Sequence, residues 1–327
     1  VDNLSEVLNQ MQNFGVVLAE RDIGRVERFT PGKKMTLGKG GKWYAKFFEW
    51  SPSPAVRLIT GYFGSYKTGE FQSVDLSGRR LSAAEISALR EQRAAQEAAA
   101  AAERAREAAL AAMRAEDRWS RASRAGESPY AARKGVAAVG APWVRYEGET
   151  LLVPMCRYDE GRALQGVQMI TASGAKFFGR DVAKQGSAAV IGHHAQGAPV
   201  LIGEGWATMA SVWLALDRKY QCVVAFDCGN LLHAARMIAA ARPDAPIVVC
   251  ADDDWCTKGN PGRHHAAATH AALSACVGVV VPSFSERIDA RGHKLTDFND
   301  LHCAEGLPVV AKQLRATLAL MREFGQV

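Results

Sequence analysis

Between residues 199 and 282, short apolar runs and helix-length segments alternate at a regular interval, and this restricts the fold of the chain more than any other feature. Val200-Leu201-Ile202 reads as a buried strand, Trp206 to Leu216 as a helix, Val223 to Phe226 as a strand and Leu231 to Ala241 as a helix. Ile247 to Ala251 then reads as a strand, Gly262 to Ala275 as a helix and Val277 to Val281 as a strand. Such alternation builds βαβ units, and βαβ units build an α/β fold with a parallel sheet and helices on both faces. The C-terminal ends of the strands then gather along one edge, where ligands bind.

Carboxylates fall at those ends. The first strand closes with Gly203-Glu204-Gly205 and the third with Asp252-Asp253-Asp254. Asp297 follows the last strand, within Lys294-Leu295-Thr296-Asp297-Phe298-Asn299-Asp300. Acids crowded together without His or Cys partners suit a hard cation such as Mg²⁺ better than zinc. Their mutual repulsion makes physical sense chiefly with a metal present. Each acid taken alone has a plainer reading as a helix cap. Asp227 and Asn230 follow the second strand on the same edge, where they either orient a water or nucleotide or cap the next helix. His193-His194, His264-His265 and Cys256 lack any zinc-ligand spacing, so no zinc is expected.

Upstream the composition changes three times. Residues 1–80 predict a small β-rich N-terminal module, with a helix from Leu4 to Phe14 and aromatic strands at Lys42 to Trp50 and Leu58 to Tyr66. Lys39, Lys42, Trp43, Tyr44, Lys46, Tyr62, Tyr66 and Lys67 either form a stacking platform for single-stranded nucleic acid or are a β-domain core with basic edges. Residues 81–127 are rich in Ala, Arg and Glu and predict one long helix, free of Gly and Pro from Leu81 to Arg124. Residues 128–196 carry short apolar or alternating runs at Leu151 to Met155, Leu164 to Ile170 and Ala188 to Ile191, and read as a basic, antiparallel β subdomain. Residues 197–327 hold the βαβ series.

The whole chain of 327 residues has 40 Lys or Arg against 34 Asp or Glu, a net charge of +6 that permits a polyanionic partner without requiring one. No apolar run reaches the length of a membrane span and no signal-peptide pattern opens the sequence, so a cytoplasmic protein without membrane contact is expected. The seven cysteines include no Cys-x-x-Cys pair, which fits a reducing compartment.

In Glu204-Gly205-Trp206-Ala207-Thr208, Ala225-Phe226-Asp227-Cys228-Gly229-Asn230-Leu231, Ala251-Asp252-Asp253-Asp254 with Asn260-Pro261-Gly262, and Thr296-Asp297-Phe298-Asn299-Asp300-Leu301, the sequence resembles the TOPRIM domain of bacterial primases, topoisomerases and some nucleases. Within that group it is most similar to plasmid and phage primases of the TraC type. The resemblance runs from about residue 128 to 305, through Tyr130 to Gly135, Leu152-Val153-Pro154 and Gly174 to Phe178. It implies a TOPRIM sheet preceded by the basic subdomain that faces the metal site across a template cleft. Arg133, Lys134, Arg145, Lys176 and Lys184 would then bind nucleotide phosphates or template; read from the residues alone, they are basic groups on a β surface.

The implied activity is DNA-directed primer synthesis: RNA starts made on single-stranded DNA from ribonucleoside triphosphates, in plasmid, phage or conjugative replication. Asp252 and Asp254 would hold Mg²⁺ or Mn²⁺, Asp297 would help position it, and Glu204 would orient metal-bound water or assist deprotonation of the 3′-hydroxyl. A replicative helicase or single-strand-binding protein would be a partner. The competing readings are a TOPRIM nuclease using the same four acids and a non-catalytic single-stranded DNA-binding module. Two features of the wider family are missing from the sequence: a zinc ribbon, and a Walker A segment that would bring helicase activity.

Overall fold

The computed structural model describes residues 1–327 except 77, 79, 80, 274–276 and 324–327. The end of the helix read to Ala275, and Cys276, lie outside the described residues. Two compact units divide the chain at Arg106 and Glu107.

The first unit contains α1 (Leu4–Asn13), α2 (Glu20–Glu27) and an antiparallel sheet in the order β1 (Lys34–Leu37), β2 (Trp43–Ser53), β3 (Val56–Ser65), β4 (Phe71–Ser73). Strand alternation turns Ala45 and Phe47 of β2 and Ile59 and Phe63 of β3 toward Val7 and Met11 of α1 and Val26 of α2, closing a small core. The sequence reading lacked α2, β1 and β4. Gly24 interrupts α2, and the two strands are too short, at four and three residues, to show a period.

The long helix α3 (Ala83–Arg121) passes the unit boundary. Within the first unit, Gln96 exchanges hydrogen bonds with the backbone of Glu49 at 2.7 and 2.9 Å, and Glu97 pairs with Lys46 at 2.6 Å. Within the second, Arg118 forms a bidentate pair with Glu147 at 2.6 and 2.8 Å. Ala115 and Ala122 pack against Leu152 and Val167 there.

The second unit is a mixed α/β assembly. After α4 (Pro129–Arg133), an antiparallel sheet runs β5 (Arg145–Glu147), β6 (Thr150–Arg157), β7 (Ala163–Ile170), β8 (Lys176–Phe178). Next come β9 (Ala189–Ile191), β10 (Val200–Gly203), α5 (Trp206–Ala215), β11 (Gln221–Val224), α6 (Cys228–Ala241), β12 (Ile247–Cys250), α7 (Pro261–Leu273), β13 (Val277–Val280), α8 (Phe298–Glu305) and α9 (Leu307–Glu323). Their five-stranded sheet has the order β13-β12-β10-β11-β9. Four of its strands are parallel, and β9 lies antiparallel to β11.

This placement of β9 departs from the sequence reading, which grouped Ala188 to Ile191 with the antiparallel region before it. Ala189, Val190 and Ile191 are all buried, so the run has no alternation to reveal which sheet it joins.

Helices cover both faces of this sheet. Residues of α5, α8 and α9 pack on Leu201, Cys222, Val248 and Cys250, whereas α6 and α7 pack on Val200, Ile202, Val223, Ile247 and Val249. From β10 the chain leaves through α5 toward β11; from the adjacent β12 it leaves through α7, on the opposite face, toward β13. The crevice between the C-terminal ends of β10 and β12 is therefore a topological switch point, where open α/β sheets bind ligands.

Candidate active site

Glu204 and Asp252 flank that crevice. Gly203, the last residue of β10, pairs with Cys250, the last of β12, so both acids lie just past the strand ends. Close packing holds the two ends together: a Cβ on Gly203 would come within 2.5 Å of the Met209 sulfur and 2.9 Å of the Cys250 carbonyl. Glu204 Oε1 and Asp252 Oδ1 are buried and have no hydrogen-bond partner among the described residues.

Burial, reinforced by Asp254, Asp227 and Asp297, pushes the Glu204 carboxyl up to about 7 against the pull of the Cys228 backbone N–H. Burial likewise lifts Asp252 well above the usual carboxylate range, with Asp297, Glu204 and Asp254 adding to it and Lys176 opposing it. The elevation has the signature of carboxylates gathered without their cation.

Asp297 is the N-cap of α8, its Oδ1 accepting from the Asp300 N–H at 2.8 Å and its Oδ2 from the Thr208 hydroxyl at 3.0 Å. Burial and Asp300 raise its carboxyl, while the Asp300 N–H, Lys134 and Thr208 resist. Asp254 is held at the start of α7: its N–H donates to Asn260 Oδ1 at 2.9 Å and its Oδ2 accepts from the Gly262 N–H at 3.0 Å. A Cβ on Gly262 would lie 2.4 Å from the Asp252 carbonyl, so only glycine lets α7 press this closely on the acidic turn.

Asp253, between the two, turns the other way. Its carboxylate takes a bidentate pair from Arg263 at 2.8 and 2.9 Å, a bond from Asn260 at 2.7 Å and the Arg287 charge at 3.4 Å. Burial alone would raise it, but these donors outweigh burial and hold it low. Its N–H donates to the Thr296 carbonyl at 2.7 Å, tying the end of β12 to the loop that carries Asp297.

The basic residues separate by position. Lys176, on the exposed strand β8, acts electrostatically on Asp252. Lys134 pairs with Asp300 at 3.4 Å beside Asp297. Lys184 forms a close ion pair with Asp227, which is also the N-cap of α6 and accepts from the Asn230 N–H at 2.9 Å. Arg133 donates to the Ala172 carbonyl at 3.0 Å. Arg145 stacks over the Trp119 ring at 4.7 Å and donates to the Trp119 carbonyl. Nothing links Arg145 to the acids among the described residues.

Asn230 is buried, with all its side-chain functions in use: Nδ2 donates to the Ser187 and Ala225 carbonyls, each at 2.9 Å, and Oδ1 accepts from the Gly186 N–H at 2.7 Å. It joins α6 to the segment before β9. Thr208, Asn260 and Arg263 had no role in the sequence reading. Thr208 and Asn260 stood inside the segments that carried the resemblance, but a hydroxyl or amide in a helix turn has no signature of its own.

Among the described residues, no three His, Cys, Asp or Glu side chains form a preassembled metal cage. The chemistry of the acids nonetheless fits Mg²⁺. That ion is commonly held by one or two carboxylates, with waters and substrate phosphates completing its shell, and Glu204 and Asp252 each hold an unpartnered oxygen.

No protein-family profile matches the chain. A DNA primase TraC of Escherichia coli is 33% identical over 218 residues, covering 62% of this chain and 20% of that protein. Over that stretch the chain is similar to a TraC-type primase. A second Escherichia coli DNA primase TraC is 35% identical over 153 residues, covering 45% of this chain and 10% of that protein. The chain thus spans about a fifth or less of these TraC proteins. The primase fragment of the bacteriophage T7 primase-helicase protein aligns with a TM-score of 0.40 and 14% identity over 56% of this chain and 69% of that one, a likeness too loose to bear on function. No described helix is long and apolar enough to cross a membrane.

Proposed function

We propose that residues 197–327 form a TOPRIM catalytic domain and that the chain is a DNA-directed primase, joining ribonucleotides on a single-stranded DNA template. The observation that carries this reading is the pair of unpartnered buried oxygens of Glu204 and Asp252 at the switch point, in a chain related to TraC primases. Glu204, Asp252, Asp254 and Asp297 would form the site for Mg²⁺, or Mn²⁺ in its place. When bound, the ion neutralises developing charge on the transferring phosphoryl group.

The chain's own residues supply the rest. Glu204, just past the end of β10 beside Asp252, would assist removal of the proton from the attacking 3′-hydroxyl. The hydroxyl oxygen then bonds to the α-phosphorus of the incoming triphosphate while the bond to pyrophosphate breaks. Lys176 and Lys134 offer cations to the triphosphate, and Thr208 fixes Asp297. Arg133 and Lys184 would bind nucleotide phosphates or template, and Asp227 and Asn230 hold the segment that carries Lys184. In the cell, the template would come from plasmid, phage or conjugative replication, with a replicative helicase or single-strand-binding protein alongside.

Incubating the protein with end-labelled single-stranded DNA, labelled ribonucleotides and Mg²⁺ tests the reading. New RNA with the DNA intact supports a primase; shortened DNA without RNA replaces it with a TOPRIM nuclease.

A further inference from the structure

The first unit has a surface that the acidic site leaves unused. Strand alternation places Lys34 of β1, Tyr44 and Lys46 of β2, Tyr62 of β3 and Phe71 of β4 on the face opposite the core. At one end α3 covers this face, with Arg93 over the Phe48 ring at 4.5 Å and Glu97 on Lys46.

Past the helix the aromatics form a connected array. Tyr44 lies 4.8 Å from Tyr66 and 6.3 Å from Tyr62, and Tyr62 lies 6.1 Å from Phe71, ring centre to ring centre. Phe71 is 65% exposed and Tyr66 51%. Gly64 makes the arrangement possible: a Cβ there would come 2.7 Å from the Tyr44 hydroxyl, so the ring lies across β3 only because β3 has no side chain at that point. Trp43, which the sequence grouped with these residues, points the other way and packs on Phe14 at 6.2 Å.

Charge identifies the occupant. Residues 31–73 carry seven Lys or Arg and two Asp or Glu, and Glu97 of α3 pairs with Lys46 among them, which leaves a local excess of 7 − 3 = +4. Lys34 Nζ lies 4.0 Å above the Tyr44 ring and 4.8 Å from the centre of Tyr66, placing one cation between two rings. Aromatic faces interleaved with cations match bases interleaved with phosphates, which aliphatic protein surfaces do not offer. We infer that this face binds single-stranded nucleic acid, with bases stacking on Tyr62, Tyr66 and Phe71 and a phosphate drawing Lys34 off Tyr44. Binding here needs neither the acids nor a divalent cation.

The test is fluorescence anisotropy of a labelled oligothymidylate with the full chain in EDTA. Tyr66→Ala/Phe71→Ala, both at exposed positions, is expected to weaken binding about tenfold or more. Lys34→Ala is expected to lower the salt slope by about one. Asp252→Asn/Asp254→Asn is expected to bind like wild type, which separates this inference from the catalytic one. Ultraviolet crosslinks should map to residues before Arg106. Unchanged affinity of the aromatic variant, equally tight binding of duplex DNA, or crosslinks confined to residues after Arg106 would each overturn the inference.

Discussion

The hydroxyl of Thr208, in the first turn of α5, donates to Asp297 at 3.0 Å across 89 residues of sequence. It links the helix that follows Glu204 to the cap of α8, so the first and last acids of the site share one support. A hydrogen bond to a charged acceptor is worth roughly 1.5–3 kcal/mol. Thr208→Val should therefore lower primer synthesis about tenfold or more while leaving the fold intact, and Thr208→Ser should restore it. Steady-state synthesis beside circular dichroism distinguishes lost positioning from lost structure.

Stability should depend on pH in a definite direction. The Glu204 carboxyl keeps its proton to about pH 7 in the folded chain, against an ordinary 4.5. Between those values the folded state binds the extra proton, so this group's contribution is complete at the acid end and is lost as pH rises through about 7. In cation-free buffer, denaturant midpoints should fall across that window, less steeply in Glu204→Gln and less steeply again with Mg²⁺. Equal slopes for the two proteins would show that Glu204 ionises normally.

Gly262→Ala places a methyl group 2.4 Å from the Asp252 carbonyl, where backbone must move. The expected cost is about 1–3 kcal/mol in unfolding free energy, with a loss of activity as Asp252 and Asp254 shift. Gly229 makes a suitable control, because its added Cβ would meet only Asp227 Oδ1, at 3.4 Å. Gly229→Ala should be close to neutral in chemical denaturation.

Asn230→Ala would leave the Gly186 N–H and the Ser187 and Ala225 carbonyls without their present partner. Unsatisfied buried groups of this kind cost about 1–3 kcal/mol each, so a loss of about 2–4 kcal/mol is expected after partial relaxation. Thermal unfolding measures it. An Asn230 that served only to contact nucleotide would leave stability unchanged.

These cases mark how far the sequence could be read. The strand-helix alternation from Val200 to Val280 was legible because buried parallel strands are short and uniformly apolar, and the acids at their ends stood out against that background. Direction was not legible. In Asp252-Asp253-Asp254, it is the fold that turns the middle carboxylate to Arg263 and Arg287 and leaves its neighbours acting on Glu204. Arg145 and Lys176 look alike as basic residues in short β segments, yet one is engaged by Trp119 and the other acts on Asp252. Such differences depend on contacts between segments far apart in the chain, which local periodicity does not encode.

The central claim is that the acids at the β10–β12 switch point carry out nucleotidyl transfer. Primer synthesis on single-stranded DNA, measured for wild type beside Asp252→Asn/Asp254→Asn, tests it most directly. Neutralising buried like charges should leave the variant folded and at least as stable without cation. Short RNA products, dependent on Mg²⁺ or Mn²⁺, are expected from wild type alone. Equal synthesis by the folded variant would contradict it.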